Sequence, residues 1–414
     1  MTVRRRRVVT VRADVLVIGA GPAGSALARQ LAAAGVHVLV ADRKSFPRDK
    51  PCGEFLSPQC QPLLEELELK DLMTELGAHR VDGMRLYDGE RPALGRFRAV
   101  CEAVAPHGFG VRRAVFDHAL LQAAERAGAT FLARHTCDDV LRDGHGRVVG
   151  ARLRDADGRS IEVAARFVVG ADGVHSRVAR ALGLQRQDTW LRQFALVAHY
   201  RGVQPEATAE VHLLRCGFFA ATTVDEGLFG VNLVLPQDRL RERSGVDWDG
   251  FVARHLDAAP RFAERLAEAG RITPWRGVGP FAFSTRRQTV PGAALVGDAA
   301  GYVDPLTGEG IYFALFSARA LGRALLLALA EPARETAAMA GYCRERRREI
   351  APRLRVARIL QRGLRSPWVV HRVLAALRRW PSLADLAVTL SGDSAHPREL
   401  WRPSFWRQFA GTGS

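Results

Sequence analysis

One hexapeptide constrains this chain more than any other stretch. Gly19-Ala20-Gly21-Pro22-Ala23-Gly24 is a G-x-G-x-x-G placed where an apolar run ends and a helical pattern begins. Residues 14–18 read D-V-L-V-I, a short buried strand, and residues 25–34 form an Ala/Leu-rich helix that stops at Gly35. Residues 36–41 make a second strand that ends at Asp42, with Arg43 beside it. In such a βαβ unit each position has a physical task. Gly19 permits the tight turn, Gly21 lets backbone approach a pyrophosphate, and Gly24 lets the helix pack on the strand. Pro22 and Ala23 open the helix, whose first N–H groups face the phosphates. Asp42 stands where a carboxylate accepts hydrogen bonds from ribose hydroxyls. The pattern implies a dinucleotide site in a doubly wound parallel sheet, and leaves open whether the ligand is a nicotinamide or a flavin.

The remaining chain is long enough for two or three domains, at 414 residues with 47% hydrophobic content. Its six cysteines are scattered, with no C-x-x-C pair, so neither a disulfide framework nor a metal site is expected and a cytoplasmic location fits. The net charge of +16 comes almost wholly from arginine. No zinc-finger spacing or basic helix with heptads accompanies it, so nucleic acid is not the expected partner, and arginine-rich usage reads as a compositional habit. Arg4 to Arg7 precede a segment broken by Arg12 and Asp14, a first strand and not a signal core. No uninterrupted apolar stretch reaches the roughly 20 residues of a membrane span. Peripheral membrane contact stays open.

Farther along, residues 63–77 and 113–127 read as helices, and residues 81–98, 148–153 and 161–169 as strands. Residues 194–235 suggest an antiparallel sheet, residues 292–330 a strand, glycine turn and helix, and the tail beyond Pro332 basic helices. Nucleotide-binding elements flank the sheet-rich middle, so the domains interleave. Residues 1–80, 108–185 and 285–330 are expected to form the nucleotide-binding domain. Residues 81–107 and 186–284 would form a substrate sheet, and 331–414 a helical region.

Further motifs carry a resemblance. Gly170-Ala171-Asp172-Gly173 continues through Ser176 and Arg177 to Arg180; Gly297-Asp298-Ala299-Ala300 follows later, and Arg113-Ala114-Val115-Phe116-Asp117 lies between the first loop and these. These segments resemble the A-D-G, G-D-A-A and R-x-x-F-D motifs of FAD-dependent oxidoreductases in the superfamily of geranylgeranyl reductases and class A flavoprotein monooxygenases of the para-hydroxybenzoate hydroxylase type. Pro51-Cys52-Gly53-Glu54-Phe55-Leu56-Ser57-Pro58 and Asp304-Pro305-Leu306-Thr307-Gly308-Glu309-Gly310-Ile311 look most like the reductase branch. The resemblance implies a Rossmann-like, glutathione-reductase-type α/β domain. Arg113, Asp172 and Gly173 would lie near the cofactor, Gly297 and Asp298 at the ribityl chain, and Pro305, Gly308, Gly310 and Ile311 around the flavin ring. A helix beginning there presents N–H groups that stabilise negative charge on a reduced flavin.

No second G-x-G-x-x-G lies between a strand and a helix, so reducing equivalents are expected from NADPH or NADH visiting transiently, from a separate reductase, or from the substrate. Three reactions compete. Monooxygenation of an apolar aromatic or polyketide-type natural product through a flavin C4a-hydroperoxide ranks first. Reduction of prenyl-chain double bonds ranks second, because the branch's Y-x-W-x-F-P segment has no counterpart near residues 218–236. Halogenation follows, its W-x-W-x-I-P segment also being missing, and a non-catalytic flavin-binding protein is the last alternative. Cys52 is read as a thiol acid or redox partner or as packing, and Glu54 as a proton donor or a loop charge. His199, His212, Phe218 and Phe219 are the candidate pocket residues, the histidines weighed against hydrogen-bonded structural roles and the phenylalanines against core packing. The arginine-rich tail is read first as a surface helix with its apolar side toward the core, and second as an interfacial helix.

Overall fold

The computed structural model describes residues 9–391 except 90, 100, 101, 103, 188–191, 244, 304, 305 and 307. Its first strand, Val9–Ile18, pairs in parallel with Ser160–Gly170 on one side and Val38–Asp42 on the other. Thr130–Ala133 extends this sheet beyond Val38–Asp42, and Ala293–Leu295 extends it beyond Ser160–Gly170. Strands covered on both faces are read as continuous apolar runs, and every residue of Val38–Asp42 is buried. The first strand is longer than residues 14–18 because Val9 to Ala13 pair with Ile161 to Ala165, although Arg12 breaks the apolar pattern.

Helix Pro22–Ala33 starts with proline in its first turn, where the missing N–H costs nothing. It packs in one core with helix Gly310–Ala330, through residues such as Leu27, Leu31, Leu321 and Leu325. Gly310–Ala330 has the length and apolarity of a membrane span, but 67% of its most apolar window is buried inside the protein. The helix expected over 63–77 is two short ones, Cys60–Glu66 and Leu72–Glu75.

The second sheet is built from Gly83–Tyr87, Pro92–Arg96 and strands between Gln193 and Val278. It is not wholly antiparallel: Thr208–Leu214 runs parallel to Gly83–Tyr87. Helices Trp248–Leu256 and Pro260–Leu266 cover one face, burying Phe251 and Phe262 against Leu196, Phe219 and Leu233. The opposite face carries Ala195, Val211, Phe218 and Val234, packed with Phe281 and bordered by Tyr302 and Leu306. Successive strand residues point to opposite faces, so adjacent Phe218 and Phe219 serve different layers.

Beyond the first sheet, helix Glu335–Gly363 is pinned by Tyr342, whose hydroxyl donates to the Leu295 carbonyl at 2.7 Å. Pro367–Arg379 and Pro381–Ser391 then close over strand Pro92–Arg96, where the Arg96 N–H donates to Asp385 Oδ1 at 2.7 Å.

Candidate active site

Parallel pairing aligns the strand ends. Ile18 sits opposite Gly170 and Ala41, and Gly170 opposite Leu295. The loops that follow therefore gather along one carboxyl edge, where open α/β sheets bind ligands. A Cβ at Gly19 would stand 2.4 Å from the Ala171 carbonyl oxygen, and one at Gly24 would stand 1.8 Å from the Gly19 carbonyl oxygen. Neither position has room for a side chain. Asp42 fixes the same turn: its Oδ2 accepts the Ala20 N–H and its Oδ1 the Lys44 N–H, both at 2.9 Å. A carboxylate has further lone pairs, so ribose hydroxyls can still bind there. Arg43 is exposed beside it.

Gly21 differs from its neighbours. Its added Cβ would meet only the Arg48 guanidinium at 3.6 Å and that of Arg113 at 4.0 Å. Arg113 is expected here; Arg48 and, nearby, Lys50 are cations that the sequence pattern does not single out. Arg48 lies 3.5 Å from Asp117, and Lys50 Nζ lies 3.9 Å from Asp298 Oδ2. Burial lowers the pKa of both Arg48 and Lys50 despite these carboxylates. Arg113 is buried too, which alone would lower it, but its fork to Asp117 at 2.6 and 2.7 Å and the neighbouring Cys52 raise it. Incompletely compensated cations around an open glycine suit an incoming diphosphate. Only their density within residues 43–50 signals them in sequence.

The rest of the groove fits FAD as well. Asp172 Oδ2 accepts the Arg177 N–H at 2.6 Å, while its Oδ1 is buried without a partner among the described residues. Burial raises the pKa of this carboxyl. Gly173 follows at a φ of +77°. Gly297, at a φ of +59°, brings Asp298 past Ala23, and the Gly297 N–H donates to Ser317 Oγ at 3.0 Å. Among the described residues no side chain caps the start of Pro22–Ala33 or of Gly310–Ala330, so the first N–H groups at Ala23–Gly24 and at Gly310–Ile311 are not taken up by capping side chains. Gly308, at a φ of +67°, lies against the Phe55 ring. Pro305 lies outside the described residues.

A second constellation joins the groove to the substrate sheet. Glu54 is buried with its backbone at a φ of +56°, an uncommon conformation for a residue with a side chain. Its Oε1 accepts the Arg113 backbone N–H at 3.0 Å, and its Oε2 lies 2.6 Å from His199 Nε2. The Glu54 N–H in turn donates to Cys52 Sγ at 3.5 Å. Thr273 Oγ1 holds the other side of His199, 3.4 Å from Nδ1, and accepts its backbone N–H at 2.9 Å. Burial alone would lower the His199 pKa; the bond and charge of Glu54 outweigh it, and the pKa is raised. Cys52, Glu54 and His199 thus come together beside Arg113.

The other pocket candidates divide. Phe218 is buried on the sheet face that meets Phe281. His212 and Phe219 are on the other face and do not line that pocket. His212 stacks on Tyr87 at 4.2 Å and binds Glu210 at 3.0 Å, and Phe219 packs on Phe262 at 5.0 Å. Both are displaced from the pocket role because helices Trp248–Leu256 and Pro260–Leu266 claim their face.

Comparison with known proteins places this geometry. A family model described as FAD binding domain matches residues 12–355. Menaquinone reductase of Mycobacterium tuberculosis is 32% identical over 323 residues, covering 74% of this chain and 75% of the relative. Digeranylgeranylglycerophospholipid reductase of Methanosarcina mazei is 31% identical over 324 residues, covering 75% and 74%. Among solved structures, a myxobacterial chondrochloren halogenase, a FAD-dependent enzyme, superposes with a TM-score of 0.78 at 29% identity, covering 84% of this chain and 82% of the other.

Proposed function

The chain belongs to the FAD binding domain family as an FAD-dependent oxidoreductase, and on that footing we propose that it reduces a carbon–carbon double bond in an apolar, prenyl-type substrate. The observation that carries this reading is the Glu54–His199 pair, 2.6 Å apart between the cofactor groove and the substrate sheet, with Glu54 buried and His199 half-buried. When bound and reduced, FAD supplies a hydride to one alkene carbon. The other carbon needs a proton. His199, whose pKa Glu54 raises against the lowering effect of burial, is the group placed to give it, and Thr273 fixes the ring. Cys52, beside Arg113, is the second group able to carry that proton. Gly21, Arg48 and Arg113 would hold the diphosphate, Asp42 the ribose, and Asp298 the ribityl hydroxyls. The apolar face at Phe218, Val234 and Phe281 excludes water from the substrate. NADPH or NADH visiting the site supplies the electrons, or a separate reductase does. The reductase relatives and the P-C-G and P-L-T-G-E-G-I segments support the same choice.

A second reading, oxygenation of an apolar aromatic or polyketide-type compound, draws on one departure. Strands Gly217–Thr223 and Phe229–Pro236 lack the aromatic Y-x-W-x-F-P segment of the reductase branch. Mass spectrometry of products separates the two. Incubated with reductant and a geranylgeranyl lipid, the holoprotein is expected to yield a product with two more hydrogens. Intact lipid, together with an oxygen atom inserted into an aromatic substrate, would move the assignment to the second reading.

A further inference from the structure

The end of helix Glu335–Gly363 and the helices after it carry a surface that the cofactor site does not use. Residues 351–380 contain eight arginines and neither aspartate nor glutamate. Among the described residues, most of the large apolar side chains that remain exposed fall in or beside this same stretch: Ile359, Leu360, Trp368, Val373, Trp380 and Leu383. Trp368 is 67% and Ile359 65% exposed. The inner face of Pro367–Arg379 is already satisfied, since Leu374 and Leu377 are buried with Ala93 and Ala384. Trp368, Arg372 and Arg379 follow at helical spacings of four and seven, on the opposite side. They are not core residues awaiting a partner within this chain's sheet.

Charge and apolarity are interleaved on that outer face. The Arg372 guanidinium lies 5.3 Å from the Trp368 ring centre, and that of Arg379 lies 5.7 Å from Trp380. Such pairs put a cation and an amphipathic ring at one level, as the boundary between lipid headgroups and acyl chains requires. We propose that this face docks on an anionic lipid surface. A polyphosphate backbone would match the arginines but gain nothing from Ile359, Leu360 and Val373. A second copy of the same face would bring arginine against arginine. A cavity of about 660 Å³ has Gln361, Leu364 and Arg365 in its wall, together with Phe218 of the substrate sheet. The docking face thus adjoins an opening toward the sheet. The surface stands independently of which reaction the flavin performs.

The test is flotation of the full-length holoprotein with vesicles of phosphatidylcholine alone or mixed with phosphatidylglycerol. The protein is expected to float with the anionic vesicles and to be released by added salt. The double variants Trp368→Ala/Trp380→Ala and Arg372→Glu/Arg379→Glu should each lower the bound fraction roughly tenfold while keeping the flavin complement. Failure of the wild type to float overturns the proposal, as does unchanged flotation of both variants. So does a dimer that the tryptophan variant dissolves, or DNA retardation as strong as lipid binding.

Discussion

Asp298 and His199 are the residues on which the assignment turns. Asp298 is held at the groove by Gly297 and lies 3.9 Å from Lys50. Removing a carboxylate that binds ribityl hydroxyls costs about 2 kcal/mol, or roughly thirtyfold in Kd. Asp298→Ala is therefore expected to lose flavin on dilution, read from absorbance after gel filtration. A variant that keeps its full complement would remove Asp298 from the cofactor site. His199 has a raised pKa in the folded protein, set by Glu54 against burial, with Arg112 opposing and Asp49 assisting. The stability it contributes is fully present below its unfolded pKa of about 6.5 and is lost as pH rises through the folded value. Turnover that needs its proton falls along the same limb. His199→Gln should lower kcat about a hundredfold and flatten that limb of the pH profile. Wild-type turnover that is flat across this window would argue against proton donation. The glycine loop and Asp42 stand out in sequence by local spacing, and Asp298 through the resemblance of its G-D-A-A segment. The Glu54–His199 bond does not, since it joins residues 145 positions apart.

Among the elements, the turn between Val9–Ile18 and Pro22–Ala33 tolerates least. A methyl group at Gly24 meets the Gly19 carbonyl oxygen at 1.8 Å, and backbone cannot swing aside as a flexible side chain would. Gly24→Ala should cost roughly 2–3 kcal/mol of stability and most of the flavin affinity, measured by denaturant titration and flavin content. Native stability and flavin content would mean that the helix packs less closely on its strand. Hydrophobic period placed Arg113–Arg126 and Gly310–Ala330 within a residue or two of expectation, but not the break between Cys60–Glu66 and Leu72–Glu75. It did not set which way elements face. Alternation separates Phe218 from Phe219, but which one meets the substrate depends on where Trp248–Leu256 and Pro260–Leu266 pack, a tertiary fact.

At the scale of the whole molecule, the parallel sheet holds the residues proposed to bind the cofactor and the second sheet brings His199 and Phe218 toward them. The segment from Arg48 to Leu56 threads between the two, contributing Lys50 on one side and Glu54 on the other. An interleaved chain builds this seam, and composition alone does not reveal it: the cations at the groove are lost in a sequence with 60 basic residues. On the proposed function, this seam is where a hydride and a proton reach an alkene. The most direct measurement mixes anaerobically reduced holoprotein with an unsaturated prenyl lipid in a stopped-flow spectrometer. The oxidised flavin spectrum is expected to return without oxygen, at a rate that depends on lipid concentration. A spectrum that stays reduced until oxygen is admitted, whatever the lipid, would contradict it.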